Sequence, residues 1–384
     1  MIFITNKIQY NRVTEYIMKE KLLKTPQGSE SIFLEEAYKH EKIIETINNL
    51  YTNWGYLPVK TPVFDYYETY EKLLSDTSKK NCFRLMDRNG DLLLLRNDIT
   101  LFLARQLGRI LKNSNETIRV HYSDSILRHQ SEIDISSNEF FQTGAELVGK
   151  PGLYGDLEAI TLLNTILTDL KLPDTKIHIG SRALLDSLLK NFKNIDSSTL
   201  IELIDSRDIK KLENYLLLDN SNKIATDITN LLLFIGTFNE FSAYKKENRE
   251  LIEKLGLTND FKHLEEIGEN LKGLGLIDDF RFDLSEVTNK SYYTGIVFKA
   301  YTKGIDSAIA SGGRYDNLIS TFGKSIPSVG FSILLRKIEG KILDEKFIAP
   351  TKNYININNN YITAYNEAKK TRESGSVAVL KGDK

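Results

Sequence analysis

Residues 173–276 read as a succession of helical runs, at 181–192, 197–206, 209–218, 221–236, 238–255 and 261–274, with little strand signal after 176–179. Strand-like segments lie on both sides of that block. Apolar residues three and four apart mark the helices, and short apolar runs bounded by Gly, Asn and Pro mark the strands. Such a chain is neither a plain helical bundle nor an all-β sandwich. The expectation is an α+β fold: an antiparallel sheet flanked by helices and interrupted by a helical insertion. Residues 1–172 and 277–345 then form the two parts of the core, 173–276 the insertion, and 346–384 a short α/β tail. The tail is too short to be an independent domain of ordinary size.

Within the first part of the core, Phe33, Leu34, Ala37, Ile43, Ile44, Ile47 and Leu50 recur at helical spacing, which predicts a long amphipathic helix over 31–54 that stops at Gly55. Residues 56–64 read as extended, and Pro62 suits an edge or an interface. Strands at 81–86 and 91–95 flank Asp87-Arg88-Asn89-Gly90, a strong hairpin signal. A helix is expected over 98–111, with Asp98 or Thr100 near its start. Strands at 117–127 and 139–148 enclose a polar loop, and 157–170 is helical. After the insertion, 279–284, 295–301 and 307–310 read as strands, with Gly312-Gly313 as a tight turn. The tail reads as a strand, a helix over 362–374 and a last strand over 376–380.

Composition excludes several function classes. With 51 basic and 52 acidic residues among 384, the net charge of -1 argues against a generally basic nucleic-acid coat. At 41% hydrophobic and 27% charged residues the chain has globular composition. Its one cysteine, Cys82, excludes an intramolecular disulfide framework and any multi-cysteine metal site. No apolar run reaches the roughly 18 residues of a membrane helix. The opening Met1-Ile2-Phe3-Ile4-Thr5-Asn6-Lys7 does not read as a signal peptide, so the expected address is the cytoplasm, away from membranes.

No phosphate loop of the dinucleotide or Walker type is present, and Gly312-Gly313-Arg314 alone reads as a structural turn. His121 and His129 lack metal-ligand spacing and read as core or solvated histidines. Asp98, Arg128, Glu139 and Glu146 lie in or at the ends of strongly apolar elements, where an unpaired charge costs several kcal/mol. Arg128 read alone is a structural ion-pair partner as readily as a ligand contact, and Tyr292-Tyr293-Thr294-Gly295 reads as strand aromatics with a bulge glycine. Together with Gln142, these acids and tyrosines would suit a small zwitterion.

The segments taken together resemble histidyl-tRNA synthetase, a class II synthetase, in that family's order from 28 to 340. Trp54-Gly55-Tyr56 followed by Val59-Lys60-Thr61-Pro62-Val63-Phe64 resembles motif 1, which in the family builds the dimer interface. Leu94-Leu95-Arg96-Asn97-Asp98-Ile99-Thr100 resembles the Leu-Arg-Pro-Glu-Gly-Thr element. Leu127-Arg128-His129-Gln130 through Glu139-Phe140-Phe141-Gln142-Thr143-Gly144-Ala145-Glu146 resembles motif 2. Ser291-Tyr292-Tyr293-Thr294-Gly295 and Ser311-Gly312-Gly313-Arg314-Tyr315-Asp316 resemble the two histidine signatures, and Val329-Gly330-Phe331-Ser332-Ile333 resembles motif 3.

The departures from that pattern fall on the ATP end. Thr288 stands where the first signature has an arginine, and Gln130 stands where motif 2 has an acid. Ser136, Ser137 and Asn138 occupy a loop that normally carries arginines, and Lys337 replaces the motif 3 arginine. Lysine keeps the charge but loses the bidentate fork, and adenylation depends on such positioned cations. The resemblance therefore implies lost aminoacylation, with no catalytic residue, cofactor or metal. It keeps a histidine site of Asp98, Thr100, Arg128, Gln142, Glu146, Tyr292, Tyr293 and Tyr315. Asp98, Thr100 and Gln142 would hold the amino-acid backbone, Glu146 and Tyr293 the imidazole, and Tyr315 would close the pocket.

A synthetase-like core of this kind with a short tail resembles the regulatory subunits of ATP phosphoribosyltransferase, the first enzyme of histidine biosynthesis. That resemblance implies a short-form catalytic partner, self-association as dimers within a hetero-octamer, and free histidine as allosteric ligand, without tRNA. The alternatives are a histidyl-tRNA synthetase with an altered active site and a synthetase-like scaffold.

Overall fold

A computed structural model describes residues 24–26, 28–29, 31–111, 116–129, 138–287, 290, 292–357 and 360–382. They fall into two units, one made of the described residues up to 31 and from 47 to 342, the other of those from 32 to 46 and from 343 to 382. Helix α1 (Leu34–Asn53) ends on Gly55, whose φ of 81° is open to glycine at little cost. There the Tyr56 N–H donates to the Tyr51 carbonyl and the Gly55 N–H to the Thr52 carbonyl, both at 2.9 Å, which is a Schellman stop.

In the larger unit, β1 (Leu57–Pro58) is a two-residue strand at the sheet edge. β2 (Phe64–Tyr66), β3 (Arg84–Met86) and β4 (Leu92–Leu95) form a small separate sheet in the order β2-β4-β3, with the Asn89-Gly90 turn joining β3 to β4. Helix α2 (Asp76–Asn81) lies between β2 and β3, and α3 (Ile99–Ile110) follows β4. The Asp98 side chain caps α3 by accepting the Thr100 N–H at 2.9 Å. Helix α3 buries Leu101, Phe102, Leu103 and Leu107 among Tyr70, Leu94, Tyr315 and Ile319. The Phe102 ring stacks on Tyr70 with centroids 4.7 Å apart.

The main sheet has nine strands among the described residues, in the order β1-β5-β6-β12-β11-β10-β7-β9-β8, the last being Ile235–Gly236. Its centre is β5 (Ile118–Leu127), β6 (Glu139–Val148), β10 (Ile296–Tyr301), β11 (Ala310–Arg314) and β12 (Ser328–Leu334), with β7 (Lys176–Ser181) next to β10, all antiparallel. Parallel pairs occur toward both ends, β1 on β5 and β7 on β9 (Phe280–Asp283), so the sheet is mixed rather than purely antiparallel.

Several boundaries differ from the sequence reading. Helix α4 (Leu153–Asp169) begins four residues before the expected 157, because Gly152 and Gly155 suppress the helical pattern that the chain adopts there. The run at 221–236 is a helix only over Asn222–Leu232. Its end, Ile235–Gly236, is strand β8 paired with β9. The run at 238–255 is two helices, Phe238–Glu247 and Arg249–Lys254, that meet at Asn248.

Gly312-Gly313 is not a turn. Both residues lie inside β11, between β10 and β12. A methyl at Gly312 would stand 2.4 Å from the Gly330 carbonyl and 2.5 Å from the Phe298 ring, and one at Gly313 would stand 2.7 Å from the Tyr293 ring. Close approach in a strand, not a positive φ, is what requires the pair. No described helix is long and apolar enough to cross a membrane.

In the smaller unit, β13 (Asn353–Asn356) and β14 (Ala378–Lys381) pair in parallel, and a helix over Tyr361–Glu373 joins them.

Candidate functional site: an acid-and-tyrosine pocket

Period-two alternation along β6 turns Gln142, Gly144 and Glu146 to one face of the sheet. Glu146 lies opposite Gly330 of β12 and is 1% exposed. A Cβ at Gly330 would fall 1.6 Å from Glu146 Oε2, so a glycine there leaves room for the carboxylate. The Thr100 hydroxyl, from the first turn of α3, donates to Glu146 Oε1 at 2.7 Å, and the Tyr315 hydroxyl donates to Oε2 at 2.5 Å. Gln142 Nε2 donates to the Ser332 hydroxyl at 2.9 Å. Asp98, Thr100, Gln142, Glu146, Tyr293 and Tyr315 thus surround one tight cavity, with Lys290 and Ser332. Tyr315 is buried at its floor and holds the acid in place.

Burial pushes the Glu146 carboxyl up to about 7, against the two hydroxyl hydrogen bonds, which favour the charged form. Asp98 moves the other way. Burial alone would raise it, but the Lys290 ammonium 2.8 Å from its Oδ2 outweighs that and holds the carboxyl below its ordinary range. The Tyr292 hydroxyl lies 3.3 Å from the same oxygen. The pocket therefore holds two carboxyls of opposite character near neutral pH: a fixed anion at the mouth and a titrating group at the floor.

Asp98 and Lys290 also line a second cavity of about 230 Å³, together with Asn97, Arg128, His129 and Tyr292. Arg128 sits over the Phe140 ring at 4.8 Å and has no salt bridge among the described residues, and burial lowers its pKa. All eight residues expected at the site hence border one or both of two cavities that share Asp98 and Lys290. Glu139 is exposed. His121 is buried and stacked on Tyr51 at 4.9 Å, and burial pushes it down to about 4, as befits a neutral core residue. Of the altered ATP-end positions, Gln130, Ser136, Ser137 and Thr288 lie outside the described residues. Lys337 donates to the Ser307 hydroxyl at 2.7 Å.

Sequence reasoning missed Lys290, which carries no motif identity, and Ser332 and Gly330 as individual contacts. It also missed two buried networks. Arg314, read only as part of a glycine-rich turn, donates Nε to Asp156 at 2.7 Å, and His263 Nε2 lies 2.8 Å from the same carboxylate. His178, Asp283 and Glu286 have ligand atoms within 4.8 Å of one another. Arg207 stands 3.5 Å from Asp283 and Lys299 stands 2.7 Å from Glu286, so these acids already face cations of the chain, which opposes a metal ion there.

The family model for histidyl-tRNA synthetase matches residues 28–338. An ATP phosphoribosyltransferase regulatory subunit from Clostridium kluyveri is 30% identical over 372 residues, covering 92% of this chain and 92% of that protein. Among solved structures, an ATP phosphoribosyltransferase regulatory subunit/histidyl-tRNA synthetase from Bacillus halodurans C superposes with a TM-score of 0.82 at 26% identity. That match covers 94% of this chain and 93% of the other. A histidyl-tRNA synthetase from Nostoc sp. PCC 7120, at 21% identity and TM-score 0.77, covers 94% of this chain and 86% of its own and shares the fold.

Proposed function

The chain belongs to the family of ATP phosphoribosyltransferase regulatory subunits, built on the histidyl-tRNA synthetase fold, and we propose that it makes a short-form catalytic subunit both active and sensitive to free histidine. One observation carries the histidine part of this reading: a buried Glu146, held by Thr100 and Tyr315, at the floor of a pocket whose mouth carries Asp98. An imidazole N–H donating to Glu146 would make a charge-assisted hydrogen bond in a dry site. Asp98 is placed for an α-ammonium, and Gln142 and Tyr293 supply further polar edges. The regulatory logic is linkage: a ligand that binds one state of the complex better shifts the population toward that state.

The test is calorimetric titration of the purified chain with histidine and, separately, with ATP. The expected result is heat of binding for histidine, none for ATP, and no histidine-dependent pyrophosphate exchange. ATP binding with such exchange would favour an active synthetase and overturn the reading. Adding the chain to a short-form phosphoribosyltransferase is expected to raise its rate, and histidine is expected to reverse that gain.

The same reading includes self-association through the motif 1 region, within a larger complex with the catalytic subunit. Leu57, Val63, Phe64, Tyr66 and Ile110 are large apolar side chains that are each more than half exposed. Val63, Phe64 and Ile110 flank or line a groove at Pro62, Phe102 and Arg105. Apolar surface of this kind supports a protein contact. Light scattering at micromolar concentration is expected to give twice 43.9 kDa, and a monomeric mass would count against the dimer.

A further inference from the structure

We propose that Lys290 makes the pocket selective for a zwitterion: an amino acid enters by splitting the Lys290–Asp98 ion pair, its ammonium taking Asp98 and its carboxylate taking the released Lys290. The inference rests on the histidine reading of the pocket and adds to it the residue that recognises the carboxylate.

Asp98 cannot turn to meet a ligand. Its Oδ1 caps helix α3 through the Thr100 N–H at 2.9 Å, which leaves Oδ2 for the pocket. Lys290 Nζ holds Oδ2 at 2.8 Å, with the Tyr292 hydroxyl at 3.3 Å. A ligand ammonium that takes this oxygen at full strength displaces the lysine, the nearer of its two partners. Lys290 and Asp98 are also the two residues that border both the tight cavity around Glu146 and the larger one beside Arg128, so their contact lies where the two spaces adjoin. The Lys290 side chain is 44% exposed, and its ammonium, 5.5 Å from the Tyr292 ring centroid, sits on a flexible stem with three rotatable donors.

Charge decides which ligand profits. A simple amine that displaces Lys290 leaves two ammonium groups side by side with one carboxylate between them, and the like charges repel. A zwitterion brings its own carboxylate, so one ion pair becomes two and no charge is stranded. The device rejects amines lacking a carboxylate and admits amino acids, while Glu146 at the floor reads the side chain.

The experiment titrates the full chain with L-histidine and with histamine, which keeps the imidazole and the ammonium but lacks the carboxylate. Wild type, Lys290→Met and Lys290→Arg are compared, with thermal melts to confirm that each is folded. Wild type is expected to prefer histidine. In Lys290→Met, histidine affinity is expected to fall about tenfold while histamine affinity rises, so that the preference collapses, and Lys290→Arg is expected to restore it. Equal tightening of both ligands in Lys290→Met would make the lysine a mere plug and overturn the inference, as would a preference left intact. In either case wild-type histidine binding would stand. Silence of wild type toward both ligands would overturn the histidine reading itself, and this inference with it.

Discussion

Glutamine in place of Glu146 is expected to stabilise the unliganded chain at pH 8 and to weaken histidine binding at the same time. Glu146 titrates near 7 when folded, raised from an ordinary 4.5, because burial disfavours its charged form. A carboxyl with a raised folded pKa contributes its full stability below the unfolded value and loses it as pH rises through the folded one. The loss therefore runs from about pH 4.5 to about pH 7, and at 1.36 kcal/mol per unit it amounts to on the order of 3 kcal/mol. Glutamine keeps the shape and can pair with the Thr100 and Tyr315 hydroxyls, but it has no proton to lose. The stability gap between Glu146→Gln and wild type should thus open from pH 5 to pH 8 in chemical denaturation at fixed protein concentration. A gap independent of pH would mean that Glu146 is not the titrating group.

The same substitution removes the anion that an imidazole N–H would meet. A charge-assisted hydrogen bond is worth about 1.5–3 kcal/mol, so histidine affinity should fall roughly ten- to hundredfold while assembly with the catalytic subunit persists. A variant that is more stable and binds less is the mark of a strained functional group. Unchanged feedback by histidine in the reconstituted complex would remove Glu146 from the site.

Which residues border this cavity was legible in the sequence, but their wiring was not. Asp98, Thr100, Gln142, Glu146, Tyr293 and Tyr315 stand in short segments whose order matches a known family, and the strands and helix that carry them have clear periodicity. What periodicity cannot give is which hydroxyl meets which carboxylate. Thr100 and Glu146 are 46 positions apart, and Tyr315 and Glu146 are 169 apart. Local patterns also misled where tertiary packing decides. Gly312-Gly313 has the composition of a turn, yet the backbone at 330 and the rings of Phe298 and Tyr293 require glycine in the middle of a strand. Ile235–Gly236 extends an apolar helical run in sequence, but it is drawn into the sheet edge by Phe282 and Asp283, which lie beyond the next three helices. Lys290 was invisible for a different reason. A lysine between polar neighbours reads as solvated, and only the fold brings it within 2.8 Å of Asp98.

The largest loss of stability is expected from Asp156→Ala, at a residue with no motif around it. Asp156 is fully buried in helix α4 and receives Arg314 Nε and Nη2, both at 2.7 Å, with His263 Nε2 at 2.8 Å. Arg314 is itself buried, and its remaining donors reach the carbonyls of Lys150 and Gly152 and the carboxylate of Asp316. Removing Asp156 takes the nearer carboxylate from a buried guanidinium and leaves it Asp316 alone, at a cost of about 1.5–3 kcal/mol for each charge-assisted hydrogen bond lost. The damage should also reach the ligand pocket, because Arg314 directly precedes Tyr315, whose hydroxyl holds Glu146 at 2.5 Å. Histidine affinity and the thermal midpoint are therefore expected to fall together in Asp156→Ala. The control is the double variant Asp156→Ala with Arg314→Met, which removes the buried cation along with its partner. If the cost is that of a buried cation deprived of its nearer counter-charge, the double variant should melt above Asp156→Ala, since deleting both halves of a buried pair is less harmful than deleting one. A double variant that melts no higher would show that Asp156 acts by packing alone. The coupling from α4 through Arg314 to the floor of the pocket would then have no electrostatic basis.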